Sequence, residues 1–143
     1  MSVFHLGLII NPLAGLGGRV GLKGSDGAQV QQMARQQGAV PEATVRAVRA
    51  LEILHGLPMD WQLYTPPGVL GEAAARAAGL TPTVIGWAPS GETTAADTQR
   101  SAQELAAAGV DLLLFAGGDG TARDLCAAVG LAVPCLGIPA GVK

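Results

Sequence analysis

The sequence predicts an α/β fold, a doubly wound and mainly parallel sheet of about five strands with helices on both faces. Two observations carry this. Short runs rich in Val, Ile and Leu alternate with longer Ala-rich segments of helical spacing, the pattern of βαβ units. The first of those runs, VFHLGLIIN from Val3 to Asn11, is nearly continuous in apolar residues, as a strand covered on both faces must be. The length of 143 residues suits one domain of roughly 150 residues with a core of its own.

The other elements follow in order. A glycine-rich loop succeeds the first strand. PEATVRAVRALEILH (Pro41–His55) has proline near its start and Val45, Val48, Leu51 and Leu54 spaced three apart, with Arg46 and Arg49 free to face water, which predicts an amphipathic helix. DWQLYT (Asp60–Thr65) reads as the second strand, LGEAAARAAG (Leu70–Gly79) as a helix stopped by glycine, and TPTVIGW (Thr81–Trp87) as the third strand. Thr93–Gly109 has both helix ends marked, since Thr94 and Asp97 stand at capping-box spacing and Gly109 supplies the stop. Val110–Gly117 is then a strand, Thr121–Val129 a helix and Val133–Pro139 a last short strand. The sequence finishes on Ala140, Gly141, Val142 and Lys143 with no closing helix, and we expect a domain of something longer. In such a sheet the loops at the carboxyl ends of the strands face one crevice, where ligands bind.

Composition narrows the partners. With 9 basic against 11 acidic residues and a net charge of −2, no cationic face is expected for a phosphodiester backbone, and nucleic acid is excluded as a partner. The hydrophobic fraction is 49% and mean hydropathy +0.37, yet the apolar runs Leu6–Ile10 and Leu112–Ala116 fall far short of the ~18–20 residues that span a bilayer. No basic region opens a signal peptide, so no membrane partner and a cytoplasmic location are expected. Cys126 and Cys135 form no CxxC pair and have no histidine at metal-ligand spacing, so both are expected to be small core residues in a reduced compartment and no metal ligands are assigned. His5 and His55 are isolated and expected to be structural or surface residues.

Two glycine-rich loops carry the functional content. The first, NPLAGLGGRVGLKGSDG (Asn11–Gly27), matches neither GxxxxGK[ST] nor GxGxxG, because Val20 stands where the third glycine would be needed. Its glycines let backbone approach a ligand and Arg19 and Lys23 offer cations for phosphate, although a mobile surface loop has the same composition. The second, GGDGTARD (Gly117–Asp124), follows a buried strand and opens a helix, so backbone N–H groups and the positive end of a helix dipole converge where an anion can sit. Gly117, Gly118 and Gly120 permit close approach, while Thr121 and Asp124 have capping-box spacing and are accounted for as the helix start. Asp119 is then left over. A carboxylate there repels phosphate unless it holds a metal ion, accepts a hydroxyl's hydrogen bond or takes its proton, all of which belong to phosphoryl transfer; the alternative is a turn residue at an unusual backbone angle.

FAGGDGTARD resembles the GGDGT motif of the NAD kinase and diacylglycerol kinase superfamily, and INPLAG (Ile10–Gly15) resembles the NP.AG element that opens its first domain. NPLAGLGGRVGLKGSDG, TTAADT and GIPAGVK together resemble more narrowly the ATP-NAD kinase group, over essentially the whole chain. The resemblance implies a Rossmann-like amino-terminal domain and ATP-dependent phosphorylation of the adenosine ribose 2′-hydroxyl of NAD to NADP, with Mg2+ or a related ion. It implies that Asp119 activates the acceptor hydroxyl and that Gly117, Gly118, Gly120 and Thr121 cradle phosphate. Asn11 and Gly15 fall in the nucleotide-side loop, Thr93 and Thr94 at a neighbouring strand-to-helix turn, and Arg19, Lys23 and Arg123 are weaker phosphate contacts. Capping accounts for Thr94 and Asp97 equally well.

Members of the group have a second, β-rich domain that supplies much of the NAD site, and residues 1–143 contain none, so this chain alone is expected to be inactive or nearly so and to self-associate as a homo-oligomer. Two alternatives stay open: a related kinase domain acting on a lipid or sugar-phosphate hydroxyl, and a non-catalytic nucleotide-binding module.

Overall fold

The computed structural model describes residues 3–12, 42–87 and 94–139. Within them the chain runs β1 (Phe4–Ile10), α1 (Glu42–Leu54), β2 (Trp61–Thr65), a 3-10 turn (Gly68–Leu70), α2 (Glu72–Ala77), β3 (Thr83–Val84), α3 (Ala95–Ala107), β4 (Leu112–Gly117), α4 (Asp119–Val129) and β5 (Cys135–Pro139). The strands form one five-stranded sheet in the order β3-β2-β1-β4-β5, and every neighbouring pair is parallel. The doubly wound, Rossmann-like α/β fold expected from the alternation of strands and helices is the fold observed.

Central position explains the composition of β1. It pairs with β2 on one side, Phe4 opposite Trp61, and with β4 on the other, Leu6 opposite Leu112 through Ile10 opposite Ala116. Its alternate side chains enter two separate cores. Leu6, Leu8 and Ile10 join Leu63, Leu114 and Ala116 beneath α1 and α2; Ile9 joins Leu113 and Phe115 beneath Leu105 of α3 and Leu125 and Val129 of α4. A strand that must satisfy both layers has no polar face to show.

Local differences from the sequence reading have local causes. The buried stripe of α1 is Ala43, Ala47 and Leu51, spaced four apart, with Val48 and Leu54 at its margin; Val45 lies outside the core. Small residues let the helix lie close on the sheet, a preference the spacing of larger side chains conceals. β3 shrinks to two residues, because Pro82 has no N–H to give and Gly86 at φ +84° turns the chain away just after the Ile85 N–H donates to the Thr65 carbonyl. The glycine stops expected after α2 and α3 are present: Gly79 and Gly109 take φ of +85° and +90°, which an L side chain rarely adopts. The expected burial of both cysteines is corrected: Cys126 is exposed on α4, and Cys135 on edge strand β5 is half-buried. His5 is half-buried with its ring edge-on to Tyr64, and His55 is exposed, as their isolation suggested. No helix among the described residues is long and apolar enough to cross a membrane.

Candidate active site

The strand order reverses between β1 and β4. Helix α1, which follows β1, packs on one face and α4, which follows β4, on the other, so the carboxyl ends of β1 and β4 mark the switch point at which such sheets bind ligands. Asn11 stands at the first of these ends, Gly118 and Asp119 at the second.

The two ends are tied together. The Asn11 N–H donates to the Ala116 carbonyl at 2.9 Å, continuing the β1–β4 ladder one residue past β1, and Asn11 Nδ2 donates to Thr121 Oγ1 at 3.2 Å across 110 residues of sequence. This second bond was not legible from the sequence; the only signal available was an asparagine immediately after a central strand. Thr121 is buried, 4% exposed, and its side chain lies directly over Gly117, whose Cα has no room for a methyl group.

The start of α4 corrects the sequence reading. The helix begins at Asp119 with Gly118 as its N-cap, and no side chain caps it, so Thr121 and Asp124 form no capping box. Thr121 is turned inward onto Gly117 and Asn11 and so cannot reach back to an N-cap. The Ala122 N–H reaches the Gly118 carbonyl at 3.1 Å, which leaves the N–H groups of Asp119, Gly120 and Thr121 without an intrahelical acceptor. Uncapped donors at the positive end of an eleven-residue helix favour negative charge there. Of the three glycines, Gly118 and Gly120 are exposed, the first with open space where a side chain would be and the second with Arg123 Nη2 3.9 Å from that point, whereas Gly117 is buried under Thr121.

Asp119 is exposed and its carboxylate has no hydrogen bond or ion pair to any described residue. It is helical rather than a left-handed turn residue, since no non-glycine residue among those described has positive φ. Arg123, one turn further along α4, is exposed. Thr94 and Asp97 do form the expected capping box: the Asp97 N–H donates to Thr94 Oγ1 at 3.3 Å and the Thr94 N–H to Asp97 Oδ2 at 2.8 Å. Gly15, Thr93, Arg19, Lys23 and the rest of the first glycine-rich loop after Pro12 lie outside the described residues. No group of three His, Cys, Asp or Glu side chains that could hold a metal occurs among the described residues.

Comparison with known families places this arrangement. No curated protein and no solved structure matches the chain significantly. The family model of the ATP-NAD kinase N-terminal domain matches residues 6–143, a span that begins in β1 and takes in both glycine-rich loops. With the sheet order, the switch point between β1 and β4 and the uncapped helix after GGDG, this match means that the chain belongs to the ATP-NAD kinase N-terminal domain family.

Proposed function

We propose that the crevice between β1 and β4 is the phosphoryl-transfer site of an ATP-dependent NAD kinase, in which Asp119 receives the proton of the adenosine ribose 2′-hydroxyl as that oxygen attacks the γ-phosphorus of ATP. The bond from phosphorus to the β–γ bridging oxygen breaks, and NADP and ADP result. The observation that carries this reading is the state of Asp119: exposed, unpartnered among the described residues, and set beside the open backbone of Gly118 at the mouth of the crevice. A carboxylate with no structural duty beyond favouring a helix start is free to address a substrate hydroxyl.

The transition state of phosphoryl transfer is loose, so the acceptor proton leaves late and an ordinary carboxylate suffices to orient the hydroxyl and take it. The amides of Asp119, Gly120 and Thr121 supply donors for a phosphate, and Arg123 an exposed cation one turn along the helix. One exposed carboxylate suits Mg2+ that arrives on nucleotide phosphates, where it neutralises charge, rather than an ion caged by protein. In this reading the domain works beside a second, β-rich domain that completes the acceptor side, in the cytoplasm and as a homo-oligomer.

The test is NADP formation by the full-length enzyme carrying Asp119→Asn. We expect kcat to fall about 10²–10⁴-fold with little change in KM for either nucleotide, the loss typical of removing a positioned general base. Near-normal turnover would remove the catalytic role. ATP consumption with a lipid or sugar-phosphate acceptor and none with NAD would replace the acceptor while retaining the site.

A further inference from the structure

Three regions beyond Asp119 stand out. The exposed Trp87 carries Arg100 over its ring at 4.2 Å, near the carboxyl end of the edge strand β3. A shallow cavity of about 290 Å³ lies between His55, Trp61, Leu80 and Thr83, at the opposite end of β2 from the crevice. Neither has a group aimed into it that asks for a ligand. The contact between Asn11 and Thr121 differs, because it joins the end of β1 to the first turn of α4 inside the proposed site.

We infer that the side chains of Asn11 and Thr121 are a positioning pair: neither side chain binds nucleotide, and together they set where Asp119 points. This rests on the phosphoryl-transfer reading of the crevice. Three contacts define the pair. The backbone of Asn11 is held by the Ala116 carbonyl, so its side chain projects from a fixed point at the end of β1. Its Nδ2 donates to Thr121 Oγ1, which sits in a residue only 4% exposed. The Thr121 side chain fills the space over Gly117, the last residue of β4, and so fixes the first turn of α4 against the strand.

Asp119 lies two residues before Thr121 in that same turn, separated from β4 by Gly118 alone. Gly118 has no neighbour within 4 Å of where a side chain would stand, so it does not hold the turn itself. The hinge between strand and helix is therefore set by the Thr121 wedge, and the wedge by Asn11. The Thr121 side chain lies in a residue only 4% exposed, packed onto Gly117, whereas the Asp119 and Gly120 positions lie open to a ligand.

Direct nucleotide contact and positioning make different predictions for the full-length enzyme. Thr121→Val keeps the shape and removes the hydroxyl; Asn11→Ala removes the donor. If the pair positions Asp119, each variant lowers kcat about 10–100-fold with nucleotide KM values little changed, the scale of loss for a misplacement of about 1 Å. The double variant is then no worse than the poorer single one, since both break one contact. Thr121→Ser, which retains the hydroxyl, recovers most of the rate.

Raised KM for ATP or NAD, or losses that multiply in the double variant, would overturn the inference, as would full activity in both singles. Amide hydrogen exchange in the full chain separates this inference from the reading it rests on. Loosening of the contact should speed exchange at Ala122, whose N–H closes the first turn on Gly118, in both Thr121→Val and Asn11→Ala, with Thr121→Ser near the parent rate. Unchanged exchange in both refutes the pair whatever the enzyme phosphorylates. Faster exchange in a protein that makes no NADP leaves the pair standing and discards the proposed reaction.

Discussion

The side chain of Thr121 rests on the Cα of Gly117, and a methyl group added there would overlap its Oγ1, Cβ and Cγ2 together. The strand residue is thereby required to be glycine by the helix that follows it, with no appeal to ligand or backbone angle. Gly118 differs in both respects: a side chain there would meet open space, and its φ of −104° and ψ of −159° are extended backbone that any residue adopts.

Gly117→Ala is therefore expected to destabilise the fold by about 1–3 kcal/mol, the cost of forcing a methyl group into a packed contact. Gly118→Ala should leave stability within about 0.5 kcal/mol, as exposed substitutions do. Denaturant unfolding of the two variants measures this directly. Equal stability would show that the first turn of α4 yields to Gly117 freely. If Gly118→Ala folds as expected but loses turnover, close approach of substrate to that backbone is the reason.

The cap of α3 gives an independent expectation. Thr94 Oγ1 accepts the Asp97 N–H while Asp97 Oδ2 accepts the Thr94 N–H and also lies 3.2 Å from the Thr94 hydroxyl, so two donors at the helix start are satisfied by two side chains. Thr94→Ala should cost about 0.5–2 kcal/mol, and Thr94→Ser much less, because only the oxygen is needed. The measurement is the midpoint of thermal unfolding, and an alanine variant as stable as the parent would mean that solvent replaces the cap without loss.

Thr94/Asp97 and Thr121/Asp124 also show why the site was only partly legible. Both pairs have the same spacing, and both were read as capping boxes, but only the first is one. What separates them is tertiary. Thr94 is exposed at its helix start, whereas Thr121 faces Gly117 and an asparagine from a strand far off in sequence. Period and turn chemistry are local, so β1, the stops at Gly79 and Gly109 and the alternation of strands and helices could be read from the residues alone. The face that α1 buries could not. There Ala43 and Ala47 lie on the sheet and Val45 does not, because the distance between helix and sheet is set by neighbours. Asp119 has no side-chain partner among the described residues, but the elimination that singled it out assumed a Thr121 cap that is not there, and the position assigned to the helix start was two residues late.

The turn after β2 should respond to acid. Glu72 Oε1 accepts the Gly68 N–H at 3.0 Å and Oε2 accepts from Arg76 at 3.0 and 3.1 Å. The Gly68 N–H first, and then Arg76, hold its carboxyl below the ordinary 4.5. A carboxyl whose folded value is lowered contributes stability above its unfolded value and loses it as pH falls through the folded one. Glu72→Gln should therefore melt below the parent at pH 7, by a small margin because the pair is exposed to solvent. The two melting curves should converge as pH falls from about 4.5 through the lowered folded value. A gap that persists in acid would assign the difference to side-chain shape rather than charge.

The thiols should differ in reactivity, in a way that checks the placement of α4 against β5. Cys126 is exposed on the helix; Cys135 is half-buried on the strand, and its Sγ lies 3.6 Å from the Val133 carbonyl. Burial first, and the nearby Cys126 second, push the Cys135 thiol above its ordinary value. Thiolate is the reactive form, so at pH 8 Cys135 combines restricted access with a smaller reactive fraction. Iodoacetamide should modify the protein in two phases, the fast one at Cys126. Cys126→Ser should retain only the slow phase and Cys135→Ser only the fast one, read by peptide mass after quenching at intervals. Reversal of that order would place Cys126 in the interior and require α4 to be rotated about its axis. Leu125 and Val129 would then leave the core they share with Ile9 and Phe115, and the first turn that carries Asp119 would turn with them.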